Sequence, residues 1–193
     1  MPRLAKDTRD RVVTAAYGLF YKKGFARVGV DAIAAAAGVT KRTLYNHFAS
    51  KDALLAAVLE RQQEQALAQI RGWSDSAADA ASPAAFLAAI FAALETWARQ
   101  RRWQGSGFSR LAMELADLPG HPARKAARAH KKAVESWLGD ELTRRGAERP
   151  DELARQTALL LEGSLSLMLI HGDTRYAAAA ADAAARLAGD VSR

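Results

Sequence analysis

Apolar residues recur at spacings of three and four along almost all of the 193-residue chain, and no run alternates as a strand would. That period predicts an all-α protein of about nine helices. The first runs from about Asp7 to Lys23, with Val12, Val13, Ala16, Leu19 and Phe20 on one face. Asp7 or Thr8 is its expected N-cap, and Gly24 its stop. A short second helix covers about Asp31–Ala37. Gly38-Val39-Thr40 makes a tight turn, with Gly38 free to take the left-handed conformation a sharp bend needs. A third helix follows at about Lys41–Phe48, with Thr40 as N-cap. Ser50 then caps a long fourth helix to about Arg71.

Gly72–Pro83 is small and polar and reads as a loop. Further helices are predicted at about Pro83–Arg101, Gly107–Ala116, Pro122–Arg145, Pro150–His171 and Thr174–Gly189, separated by Gly- and Pro-bearing breaks. The alanine run from Ala177 to Ala185 is low in complexity, but alanine is the best helix former. The expected division is an N-terminal three-helix helix-turn-helix domain over residues 1–51 and a helical body over residues 52–193, joined by the long fourth helix.

Half of the residues are hydrophobic, enough to form a core without staples. Cysteine is absent, which removes a disulfide framework, a thiol nucleophile and thiolate zinc sites. The polar start MPRLAKDTRDR is unlike a secretory signal. The apolar run Ala158–Ile170 is interrupted by Glu162 and two serines and is short for a bilayer. A cytoplasmic protein with no membrane partner is expected.

The net charge is +7, and its location matters more than its size. Residues 1–51 hold ten Lys and Arg against three acids, while the remaining 18 basic and 18 acidic residues cancel. A positive field concentrated on one quarter of the chain attracts a polyanion.

Within that quarter, Asp31–Lys51 reads as a helix-turn-helix, the motif that lays its second helix in the DNA major groove. With Leu44 turned inward, Phe48 lies one turn on, and both can pack on Ile33, Ala37, Val39 and the first helix. At about 100° per residue, Arg42 and Asn46 then face solvent, flanked by Thr43 and Tyr45. Thr40, Lys41 and His47 lie nearer the edge, where a phosphate backbone would run. Arg pairs bidentately with guanine and Asn with adenine, and Thr or an aromatic can touch the thymine methyl. Flanking donors fix the register on phosphates. Lys51 sits in the first turn of the next helix. The bland alternative is a solvated amphipathic hairpin. The small-residue second helix, the glycine turn and the localised charge together favour DNA.

The order and spacing of Val12-Val13-x-Ala15-Ala16-x-x-Leu19-Phe20, Gly24-Phe25, Val30-x-x-Ile33-Ala34-x-x-Ala37-Gly38-Val39-Thr40, Leu44-Tyr45-x-His47-Phe48 and Lys51-x-x-Leu54 resemble the DNA-binding domain of the tetracycline-repressor (TetR) family of bacterial transcription regulators. The resemblance covers Val12–Leu55. It implies that Thr40, Lys41, Thr43, Tyr45, His47 and Lys51 contact DNA, mostly phosphates, and that Arg42 and Asn46 stand at positions where specificity varies. Gly29 departs from the pattern, since Thr or Ser is common there. The resemblance also implies a C-terminal domain that binds a small effector and dimerises. No cofactor is expected.

For the body, the sequence adds its own pointers. The helix Leu153–His171 is apolar nearly all round, so it requires cover on every side. Gly163, Ser164 and Leu167, with Ala177, Ala180, Ala181 and Ala184 on the last helix, are the expected dimer contacts in a two-fold four-helix bundle. Phe91, Trp97, Trp103, Phe108, Met113, Trp137 and Met168 are candidates to line an effector site, with Glu162 as a polar anchor or the partner of a Lys or Arg. Plain core is the alternative for each.

Enzymatic chemistry finds no support. His47, His121, His130 and His171 lack metal-ligand spacing with carboxylates, and there is neither a phosphate loop nor a nucleophile elbow. The expected function is a ligand-responsive homodimeric regulator, a repressor released from a near-palindromic operator by a small molecule. Two alternatives stand beside it: a sequence-indifferent basic DNA-coating protein without effector, and a helical small-ligand carrier whose basic end binds an acidic protein.

Overall fold

The structure, a computed structural model, describes residues 2–75, 77, 80–101, 103–118 and 120–189, with side chains from Lys6 onward. Pro119 and three positions of the expected Gly72–Pro83 loop lie outside the described residues. Among those described there are nine helices and no strand: α1 Pro2–Lys23, α2 Val30–Ala37, α3 Lys41–His47, α4 Lys51–Asp75, α5 Pro83–Ala98, α6 Gly107–Glu114, α7 Pro122–Arg144, α8 Pro150–His171 and α9 Arg175–Gly189.

Local chemistry sets most of these ends. The Thr40, Ser50 and Ser82 hydroxyls accept amide hydrogen bonds at the starts of α3, α4 and α5. Pro83 and Pro150 open α5 and α8, where their missing N–H costs nothing. Two ends differ most from expectation. Helix α1 begins at Pro2, so Asp7 and Thr8 lie inside it rather than capping it; proline is tolerated in a first turn, and nothing between it and Asp7 breaks a helix. Helix α4 continues through Gly72 to Asp75. The Trp73 ring packs 5.9 Å from that of Trp97, and Ser74 is buried. That packing outweighs the roughly 1 kcal/mol cost of a helical glycine.

The chain forms two compact units. One comprises residues up to Glu64 together with Gly107–Arg128, the other Gln65–Ser106 together with Ala129 onward. In the first, Val12, Val13, Ala16 and Phe20 of α1 are buried, as are Ile33 and Ala37 of α2 and Leu44 of α3. Leu54, Leu55 and Val58 of α4 and Phe108 and Leu111 of α6 are buried too.

In the second unit, α5 contributes Phe86, Leu87, Ile90, Phe91 and Leu94, all essentially inaccessible, and packs most extensively on α9. Leu138 and Leu142 of α7 and Leu161 and Met168 of α8 join them. The alanines of α9 have a role the sequence assigned elsewhere. Ala177, Ala180 and Ala184 are buried inside the subunit, and Ala181 is half-buried against the same core. Their small side chains let α9 approach α5 and α8 closely, so the three buried ones are not dimer contacts. Ser164 is buried as well, and its hydroxyl donates to the Leu160 carbonyl at 2.7 Å.

Helix α8 carries two stripes. Leu153, Thr157, Leu161, Ser164 and Met168 face the core. Leu159, Gly163, Leu167 and Ile170 lie exposed at spacings of four, four and three, with Leu159 70% and Ile170 72% accessible. At 22 residues, α8 is long and apolar enough by length and composition to cross a bilayer, further than the run Ala158–Ile170 indicates, although its inner stripe packs in the core.

Candidate nucleic-acid interface

The helix-turn-helix is held from beneath. Leu44 is fully buried and Phe48 nearly so, which fixes the inner face of α3 against the core of the first unit. The turn bends at Gly38, whose φ of +63° is strained for any residue with a Cβ. Helix α2 ends there with unpaired carbonyls, and Arg11 of α1 meets them: its Nη2 donates to the Ala37 carbonyl at 2.6 Å and the Gly38 carbonyl at 3.0 Å. A cation at a helix C-terminus also complements the helix dipole. Nothing in the local sequence marks Arg11 for this, because its partners lie 26 and 27 residues away.

With the inner face fixed, the outer face follows. Arg42, Tyr45 and Asn46 are exposed on α3, and Thr43 and His47 are half-exposed beside them. Thr40 and Thr43 are tied together: the Thr43 amide donates to Thr40 Oγ1 at 3.0 Å, and the two hydroxyls lie 2.8 Å apart. Lys41 Nζ pairs with Asp31 at 3.1 Å, both side chains being mostly exposed. Such a surface pair contributes little to stability, so Lys41 can exchange a carboxylate for a phosphate. Arg9 lies over the Phe48 ring, 5.2 Å from its centroid. Seven of the eight sequence-predicted DNA contacts therefore lie along α3 and its N-cap, with Arg42, Tyr45 and Asn46 exposed and Leu44 alone of the helix turned into the core.

Lys51 is placed differently. Its ammonium donates to the Phe25 carbonyl at 2.6 Å and stands 4.1 Å above the Phe25 ring. Burial lowers its pKa against the opposing pull of Asp52 and Glu114. It anchors the loop before α2.

The eight candidate effector residues do not form one group. Phe108, buried, and Met113, 67% accessible, lie on α6 in the first unit. In the second unit the Trp97 ring packs between Trp73 and Trp103, edge-on to the latter at 5.8 Å. Trp137 meets Phe86 edge-on, while Phe91 and Met168 are core. Glu162 is ion-paired with Lys131, whose Nζ also reaches Ser106 Oγ at 3.2 Å. Neighbouring His130 is buried and stays neutral down to about 4, through burial first and the Lys131 charge second.

Comparison with known proteins agrees with the geometry. Residues 12–58 match the family model for bacterial regulatory proteins of the tetR family. A 67-residue segment is 40% identical to the HTH-type transcriptional regulator UidR of Escherichia coli K12, covering 35% of this chain and 34% of that protein. The match thus spans about a third of that curated relative. Solved structures extend the likeness to the whole chain. A TetR-family transcriptional regulator from Streptomyces coelicolor superposes with a TM-score of 0.83 at 24% identity, over 96% of this chain and 97% of the other. A structure assigned as a TetR-transcriptional regulator from Streptomyces avermitilis gives 0.74 at 31% identity, over 92% and 97%. A matching reader domain and a relative at 31% identity along nearly its whole length establish the conclusion: the chain belongs to the TetR family of DNA-binding transcription regulators, which are not enzymes.

Proposed function

We propose that the protein is a cytoplasmic repressor that binds a near-palindromic operator as a homodimer and is released by a small-molecule effector. The observation that carries the DNA half is the outward row of α3, held by the buried Leu44 and Phe48. Residues 1–51 are the reading domain, and residues 52–193 bind effector and partner. Arg42 and Asn46 read base edges, and Thr40, Lys41, Thr43, Tyr45 and His47 fix the register on phosphates and the thymine methyl. Two-fold symmetry of the protein would be mirrored in half-sites one helical turn, about 34–36 Å, apart or a multiple of it.

The exposed stripe Leu159–Gly163–Leu167–Ile170 of α8 supports the homodimer, since an apolar stripe of that length is normally covered. A second copy packing through α8, with α9 beside it, would cover it in an isologous interface. The tryptophan cluster supports an effector site in the second unit, because the Trp103 indole N–H is buried with no acceptor among the described residues. An effector that binds one separation of the two readers better than the other must oppose DNA reciprocally.

The test starts from a duplex selected by the protein out of a random-sequence pool. Placed across a reporter promoter, it should lower transcription only when the protein is expressed; unchanged or raised transcription would refute repression. On the same duplex, Arg42→Ala and Asn46→Ala should each cost about 1–3 kcal/mol at one base position and flatten preference there. Binding titrations against single-base variants measure this.

A further inference from the structure

Outside the face of α3, one cluster ties the helix-turn-helix to a segment almost ninety residues away. Gly24 ends α1 at φ +84°. The next two amides then converge on a single carboxylate: Phe25 N–H donates to Glu114 Oε2 at 3.0 Å and Ala26 N–H to Glu114 Oε1 at 2.7 Å. Successive amides in such a turn form a concavity suited to an anion. A Cβ at residue 24 would stand 3.1 and 3.2 Å from the two oxygens, so the glycine also leaves room for the carboxylate.

The same residue is held from its other sides. Lys51 Nζ bonds the Phe25 carbonyl and covers its ring, and His121 meets that ring edge-on at 5.9 Å. His121 Nε2 in turn lies 3.5 Å from Asp52. One turn before Glu114 on α6, Arg110 donates to the Tyr21 carbonyl in the last turn of α1 at 3.0 Å. The loop Gly24–Gly29 is therefore fixed by α6, by α4 and by the start of α7.

That loop leads straight into α2, whose N-cap is Gly29 with no side-chain hydrogen bond to hold the first turn. Helix α2 supplies Ile33 and Ala37 to the packing around α3 and, through Asp31, the partner of Lys41. A shift of the loop passes to α2 and from there to the reading helix. We infer that Glu114 is a positioning residue for DNA recognition: bound in the Gly24–Ala26 turn, it holds α2, and through α2 the outward face of α3, in the geometry that fits the groove. This rests on α3 being the reading helix.

The sign of the effect separates positioning from plain charge. Removing an acid from a DNA-binding unit ordinarily tightens binding to a polyanion. Glu114→Gln keeps the size, but it loses the charge and turns an NH2 toward one of the two amides. The full-length protein is titrated with the duplex that the wild type selects from a random pool. Glu114→Gln is expected to bind about five- to thirtyfold more weakly, with the rank order of base preference and the salt slope unchanged. Asp117→Asn, which removes an exposed acid three residues on, is expected to bind as the wild type or more tightly. Wild-type-like or tighter binding by Glu114→Gln, a changed base preference, or a loss matched by its unfolded fraction in circular dichroism would overturn the assignment. If Glu114→Gln does not fold, hydrogen exchange on the wild type decides. The Phe25 and Ala26 amides should become more protected when the selected duplex binds, and unchanged exchange would overturn it. A wild type that selects no duplex would instead refute the DNA reading itself.

Discussion

Leu44→Ala is expected to destabilise the first unit by about 2–5 kcal/mol and to abolish tight binding to the selected duplex, although Leu44 itself lies on the buried side of α3. Leu44 is fully buried beneath α3, and a leucine truncated in a filled core loses its transfer free energy and leaves a cavity. The third helix has seven residues, far too few to persist without tertiary packing. Losing its anchor therefore releases Arg42 and Asn46 together. Arg42→Ala, by contrast, should leave stability within about 0.5 kcal/mol, because its side chain is exposed. Urea unfolding alongside duplex titration separates the two variants. A Leu44→Ala protein with wild-type affinity would mean that α3 is not held by its inner face.

Glu141→Gln is expected to destabilise the second unit by about 3–5 kcal/mol at neutral pH, since breaking one partner of a buried pair leaves the rest uncompensated. The Glu141 side chain is 6% accessible and bonds both Arg144 and Arg145. Arg145 is itself 12% accessible, stacks over the Phe86 ring at 4.1 Å and donates to the Glu141 carbonyl at 3.1 Å. Burial alone would raise the Glu141 pKa, but the hydrogen bonds from Arg145 and Arg144 and their charges outweigh it and hold it below the usual 4.5. Its contribution is therefore complete above the unfolded value and is lost as pH falls through the folded one. Wild type and Glu141→Gln should converge in acid. His130 acts over a higher window: its pKa is lowered from 6.5 to about 4, so folding loses stability as pH falls from 6.5 toward 4. Thermal melts of the wild type, Glu141→Gln and His130→Gln across that range distinguish the two groups.

The contrast between the two units shows what the sequence could reveal. The helix-turn-helix depends on short-range rules: a three-four spacing, a threonine cap, a glycine turn and a wheel that fixes the outer face once Leu44 is turned inward. Each acts within about ten residues, so the geometry of α2 and α3 is legible in the sequence. Arg11 and Glu114 act across 26 to 89 residues, and nothing local distinguishes either from an ordinary surface charge. In the body the ambiguity was chemical. An alanine stripe serves equally for a partner or for a helix of the same chain, and α9 uses it on α5. The outer stripe of α8 was hidden because that helix is apolar on both faces, and periodicity cannot say which face the subunit itself covers. Lys51 shows the same limit, since a lysine in a helix's first turn is equally suited to a phosphate or to the carbonyl of Phe25.

Whether this protein reads a DNA sequence through α3 is decided by the dissociation constants for the selected duplex and for a random duplex of equal length, measured across a series of salt concentrations. The selected duplex is expected to bind at least about 10³-fold more tightly, with both affinities falling as salt rises. Equal affinity for the two duplexes at every salt concentration would contradict it.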